Sequence, residues 1–128
     1  MRFLGFKNQS ELPAYYDLCE VFVLPSVFEP WGLVVNEVMN AGRAVIVSDQ
    51  VGCAPDLVRH GENGFIFQAG NLADLAQALT KVLENQEICR LMGQNSRKII
   101  GEWSLEADVR GLKSALMSVL PDMDKKNL

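Results

Sequence analysis

Two carboxylates and the glycine between them are the residues of this 128-residue chain best suited to chemistry. Glu29, Trp31 and Gly32 close a loop, and a helical run carrying Glu37 follows directly. A helix N-terminus offers backbone N–H groups with no partner inside the helix, together with a partial positive charge. A glycine there lets a bulky anion approach the backbone closely. The amides of Gly32, Leu33 and Val34 are therefore expected to take a phosphate without a basic side chain. Glu37 lies one turn beyond Leu33, and its carboxylate suits a pair of neighbouring hydroxyls such as those of ribose; Glu29 is placed to meet a second sugar beyond the phosphates. The spacing does not decide the matter by itself. Two glutamates eight positions apart arise readily in a chain with 16 Asp and Glu residues, and the plain alternative makes Glu37 a solvated helix position and Glu29 a loop carboxylate.

The elements that must hold these residues can be read from apolar periodicity. Arg2-Phe3-Leu4-Gly5 reads as a short buried strand. Asn8 or Ser10 is expected to cap a helix over residues 10–19, with Pro13 tolerated in its first turn and Leu12, Tyr15, Tyr16 and Cys19 as its apolar stripe. Val21-Phe22-Val23-Leu24-Pro25 is an apolar run stopped by proline, as expected of a strand buried on both faces of a parallel sheet. The candidate helix runs over residues 32–41, with Val34, Val35, Val38 and Met39 on one arc, Asn36, Glu37 and Asn40 on the other, and Gly42 as terminator. Ala44-Val45-Ile46-Val47-Ser48 is the next strand, residues 54–59 a short helix, and Phe65-Ile66-Phe67 a last strand. Strand and helix alternate as in a doubly wound α/β sheet, in which ligands sit outside the carboxyl ends of the strands. After Gly70 only helices are expected: one capped by Asn71, one over residues 86–100, and one over residues 104–120 with Trp103 ahead of its cap. Residues 121–128 show no periodicity and read as a frayed tail.

Composition excludes several functions. With 12 Lys and Arg against 16 Asp and Glu the net charge is −4, and the cations are scattered, which argues against nucleic-acid binding. No apolar run is long enough to cross a membrane and no leader block opens the chain, so the expected place is the cytoplasm. Cys19, Cys53 and Cys89 are widely spaced beside a single histidine, which predicts reduced thiols and no metal site. His60 is expected at a helix end on the surface, Asp49 to cap the following turn, and Tyr15, Tyr16 and Trp103 in the core or an interface. Trp31 either walls the site or staples loop to helix.

The run from Phe22 to Gly42, Phe-Val-Leu-Pro-Ser-Val-Phe-Glu-Pro-Trp-Gly-Leu-Val-Val-Asn-Glu-Val-Met-Asn-Ala-Gly, resembles the Glu-x7-Glu region of retaining GT-B glycosyltransferases of the group 1 type. Further pieces resemble that family in the same order: Arg2-Phe3-Leu4-Gly5-Phe6, Val45-Ile46-Val47-Ser48-Asp49, the loop and helix opening at Gly52-Cys53-Ala54-Pro55-Asp56, and Gly61-Glu62-Asn63-Gly64-Phe65. The resemblance extends from Arg2 to about Glu106. It implies an α/β fold, a Rossmann-like parallel sheet with trailing C-terminal helices, and makes residues 1–120 part of the C-terminal, nucleotide-sugar-binding domain of such an enzyme.

The resemblance also implies roles. Glu29 would contact the transferred sugar near the reaction centre, Glu37 the ribose, and the backbone of Gly32, Leu33 and Val34 the diphosphate, with Phe6, Lys7 and Trp31 bordering the donor. No cofactor is implied beyond the nucleoside-diphosphate sugar, which is a substrate. Cys53 departs from a glycine pair common in the family. Two departures are larger: the N-terminal acceptor domain has no counterpart here, nor has the Gly-Arg strand end and lysine that neutralise the donor diphosphate. Loss of those cations is expected to leave the chain alone inactive in sugar transfer, with an open sheet edge prone to self-association. The rival readings are a non-catalytic remnant or split subunit that pairs with a partner chain, and a signalling receiver domain, against which the trailing helices and the Gly5-Phe6-Lys7 start both argue.

Overall fold

The computed structural model describes residues 1–119. Three strands, β1 (Val21–Leu24), β2 (Ala44–Ser48) and β3 (Gly64–Phe67), form a parallel sheet in the order β1-β2-β3. The register pairs Val21 with Ala44 and Val45 with Gly64. Helices α1 (Leu12–Leu18), α2 (Leu33–Asn40) and α3 (Ala54–Leu57) precede β1 and fill the two crossovers; α4 (Leu72–Leu83), α5 (Gln86–Gly101) and α6 (Leu105–Val119) trail the sheet.

The unbroken apolar run of β2 follows from its central position. All five of its residues are buried. Successive side chains point to opposite faces. Val45 and Val47 enter one core with Val35, Val38 and Met39 of α2, Leu57 of α3 and Ile99 and Ile100 of α5. Ala44 and Ile46 enter the other, with Phe65 and Phe67 of β3, Ala78 and Val82 of α4, and Cys89 and Met92 of α5. Helix α5 thus contributes to both cores. Each fully buried side chain of this size is worth about 1.5–3 kcal/mol.

Where structure and periodicity differ, the cause is local. Residues 2–5 form no strand: Phe3 is 85% exposed and Phe6 92%, and β1 stands at the sheet edge with no ladder partner on its outer side among the described residues. For the same reason β1 is half-buried along its whole length rather than buried on both faces. The sheet accordingly has three strands rather than four.

The short helices also have local limits. No side chain caps α1; Asn8 instead closes the turn before it, its Oδ1 accepting from the Ser10 and Glu11 backbone amides at 3.1 Å each. Helix α3 stops at Leu57, because Asn63 Oδ1 takes the Arg59 N–H at 2.8 Å and turns the chain toward β3. Asn71 accepts from Asp74 N at 3.1 Å and Ser104 from Ala107 N at 3.2 Å, as expected of their helices, and α5 has a cap that the periodicity does not show, Asn85 accepting from Glu87 N at 2.9 Å. Residues 121–128, expected to fray, lie outside the described residues.

Candidate functional site

Two loops leave the carboxyl ends of β1 and β2 and are joined to each other. The Glu29 N–H donates to the Gln50 carbonyl at 3.1 Å, Gly52 N–H to the Glu29 carbonyl at 2.8 Å, and Cys53 N–H to the Trp31 carbonyl at 2.9 Å. The Ser48 hydroxyl donates to the Ser26 carbonyl just below this junction. Gly52 has no room for a side chain: a Cβ there would collide with the Pro30 carbonyl oxygen. Cys53 is fully buried and burial pushes its thiol up to about 11, so it fills core space and has no reactive thiolate. This explains how a cysteine is accommodated beside Gly52.

The joined loops deliver the chain to α2 at Gly32, the N-cap, with φ of 93°. A Cβ on Gly32 would stand 3.0 Å from Val51 Cγ1, so both backbone angle and space demand glycine. No side chain caps this helix and no acidic residue occupies its first turn. No carboxylate caps its N-terminal amides, whose oriented dipoles favour an anion. Glu29 is half-buried beside them, its Oε1 accepting from the Trp31 amide at 3.4 Å. Trp31 is a staple: its indole N–H donates to Asn36 Oδ1 at 3.1 Å, and its ring meets that of Trp103 at 5.9 Å.

Glu37 is exposed on α2, and its Oε2 accepts a hydrogen bond from the Tyr16 hydroxyl at 2.7 Å. Tyr16 is only 8% exposed. Burial foremost, then the adjacent Glu37 carboxylate, pushes its phenol up to about 12, so it remains a donor. These two residues line a cavity of about 560 Å³ together with Gln9, Asn40 and Arg97, at the junction of α1, α2 and α5. Glu29 is not on its wall. Glu37 lies five residue steps beyond Gly32, a rise of about 7.5 Å along the helix.

The remaining candidates are engaged elsewhere. Lys7 pairs with Glu11 at 3.6 Å and lies 5.4 Å over the Tyr15 ring, which together with Glu11 raises its pKa; Phe6 is exposed. From that segment it is Gln9 that reaches the cavity beside Glu37. His60 is exposed as expected, its Nδ1 accepting from the Ile66 amide at 3.2 Å. Asp49 does not cap its own turn but ties it to the loop after β3, accepting from the Ala69 amide at 3.0 Å. Tyr16 was legible only as part of an apolar stripe, yet a buried phenol requires a partner, and that requirement was the available signal. A second cavity, of about 720 Å³ and lined by Glu20, Arg43, Glu87 and Arg90, opens at the amino ends of β1 and β2, away from the joined loops. Among the described residues no group of three or more His, Cys, Asp or Glu is placed to hold a metal ion, and no helix is long and apolar enough to cross a membrane.

The sequence family described as glycosyl transferases group 1 matches residues 1–99. An uncharacterized glycosyltransferase of Methanocaldococcus jannaschii, MJ1607, is 35% identical over 100 residues, covering 78% of this chain and 25% of its own length. Among solved structures, sucrose-phosphate synthase from Thermosynechococcus elongatus superposes with a TM-score of 0.77 at 27% identity, covering 94% of this chain and 30% of that one. Anabaena HepE in complex with UDP and glucose gives 0.76 at 27% identity, covering 91% of this chain and 32% of its own. The chain thus spans a quarter to a third of the length of these relatives. The fold is α/β and its structural neighbours are GT-B glycosyltransferases. The family match runs through both joined loops and the whole of α2, and on it this chain belongs to the group 1 glycosyl transferases.

Proposed function

We propose that this chain is the donor-binding part of a retaining glycosyltransferase that moves a sugar, of the hexosyl or a related type, from a nucleoside-diphosphate sugar to a hydroxyl acceptor. The observation that carries the reading is the N-terminus of α2, held open by Gly32 at φ 93°, uncapped by any side chain and flanked by Glu29. There the diphosphate accepts from the amides of Gly32, Leu33 and Val34, the transferred sugar lies toward Glu29, and the ribose hydroxyls donate to Glu37. The complex of HepE with UDP and glucose supports a donor of this class. Departure of the nucleoside diphosphate builds negative charge on its phosphate oxygens, and oriented amides stabilise that charge without reorganising. As part of the same proposal, the acceptor is a hydroxyl of a growing polysaccharide or glycolipid on the cytoplasmic side.

Among the described residues, the side chains seen to bond or crowd this helix end, those of Leu24, Glu29, Trp31, Asn36 and Val51, carry no positive charge. Binding is therefore within reach of the chain while leaving-group neutralisation is not, and transfer requires cations from a further domain or a partner chain. The unpaired edge of β1 and the exposed Phe3 and Phe6 favour such a partner and, without one, self-association. Calorimetric titration of UDP-, GDP- and ADP-sugars into the purified chain tests the donor reading. One of them is expected to bind, with Glu37→Ala weakening it about tenfold or more, the scale of a lost charge-assisted hydrogen bond. Binding of none at millimolar concentration, or robust transfer by the isolated chain that Glu29→Ala abolishes, contradicts this account.

A further inference from the structure

We infer that Tyr16 is a positioning residue for donor recognition: its phenol fixes the Glu37 carboxylate so that one oxygen is held inward and the other faces the ribose hydroxyls. The inference rests on the ribose role proposed for Glu37 and adds to it a residue from a different element. Three observations converge. The Tyr16 hydroxyl donates to Glu37 Oε2 at 2.7 Å, a short charge-assisted bond between α1 and α2. The phenol is held in place by its own burial within the core shared by α2 and α5, whereas Glu37 itself stands exposed on the surface of its helix. Tyr16 and Glu37 both line the cavity of about 560 Å³ that they share with Gln9, Asp17, Asn40 and Arg97.

The physical consequence concerns geometry more than charge. An exposed glutamate samples several rotamers, and ordering it on binding a ligand costs free energy. Anchoring one carboxylate oxygen removes most of that cost before the ligand arrives. A phenol that keeps its proton, as this one does, can only donate to Oε2, so the arrangement is directional. It also leaves the ribose to serve as donor to the remaining oxygen, and a 2′-deoxy nucleotide loses half of that pair of hydroxyls.

The test uses the whole chain, with UDP, GDP and ADP and their 2′-deoxy counterparts as probes in calorimetry. Wild type is expected to prefer the ribose form of whichever nucleotide binds. Tyr16→Phe, which keeps the ring and its packing, is expected to weaken that form about fivefold and to reduce the ribose preference. The double variant Tyr16→Phe/Glu37→Ala is expected to bind no more weakly than Glu37→Ala alone, because the two residues act as one unit; a purely structural tyrosine would add its own loss. Should Tyr16→Phe fail to fold, Glu37→Gln gives the same answer. A phenol that holds the amide oxygen turns the NH₂ toward the ribose, so this variant is expected to lose preference as far as Glu37→Ala does. A Tyr16→Phe protein with unchanged preference, or additive losses in the double variant, or a Glu37→Gln protein that keeps the wild-type preference, overturns the inference and leaves the donor reading standing. Wild-type affinity in Glu37→Ala, or no binding of any probe, removes the donor reading and the inference with it.

Discussion

At Gly32 a single dihedral angle sets the uncapped start of α2, the end proposed to take the diphosphate. With φ at 93° and Val51 Cγ1 3.0 Å from where a Cβ would stand, an alanine there carries both a left-handed backbone and a tight contact. Gly32→Ala is expected to cost about 1–2 kcal/mol from the backbone alone, measured by urea denaturation, and to weaken nucleotide binding as the amides tilt away. An equally stable Gly32→Ala protein with unchanged binding would mean that the left-handed cap is dispensable. Glu29 and Glu37 are legible in the sequence as a spaced pair, but their surroundings are not. The Tyr16 partner of Glu37 comes from twenty-one residues upstream, and the pairing of Gly52 with Glu29 is a contact between two loops that no local pattern encodes.

Among elements, the junction of α3, β3 and α5 carries the largest fully buried polar side chain among the described residues. Asn63 is fully buried, accepts from the Arg59 amide at 2.8 Å and donates to the Leu57 carbonyl at 3.1 Å, with Ser96 of α5 3.4 Å away. Its removal leaves the part-buried Arg59 N–H and the carbonyl of the buried Leu57 without this partner, so Asn63→Ala is expected to destabilise by about 1–3 kcal/mol in the same denaturation assay. A loss under about 0.5 kcal/mol would place the turn outside the cooperative core. Elements whose signal is a buried apolar period were readable to within a residue or two, as β2 and α4 are. Those that depend on a neighbour were not. Residues 2–5 have strand composition but no ladder beside them, and β1 has a core strand's sequence at a sheet edge. Periodicity over residues 54–59 predicts α3 two residues longer than it is, because the Asn63 side chain that ends it acts from beyond the turn.

For the molecule as a whole, the distribution of charge and covered surface gives the acidic composition its meaning. A chain of net charge −4 is an unpromising anion binder by count, yet the field at the α2 N-terminus depends on oriented amides and on the absence of a capping carboxylate there. On the proposed function, binding and catalysis would part company for the same reason: oriented dipoles would hold a diphosphate, whereas its departure as a leaving group would demand full charges. Helix α6 buries none of its residues, and the outer edge of β1 is unpaired among the described residues, so these are the surfaces where the proposed further domain or partner would be sought. The central claim is that the diphosphate of a donor sits on the first turn of α2. Titrating the ¹⁵N-labelled chain with the nucleoside diphosphate that binds, and following each backbone amide by NMR, tests it most directly. The account predicts that the largest shifts fall on Gly32, Leu33 and Val34, with smaller ones at Glu37 and Tyr16. Saturable binding that leaves those three amides unmoved would contradict it.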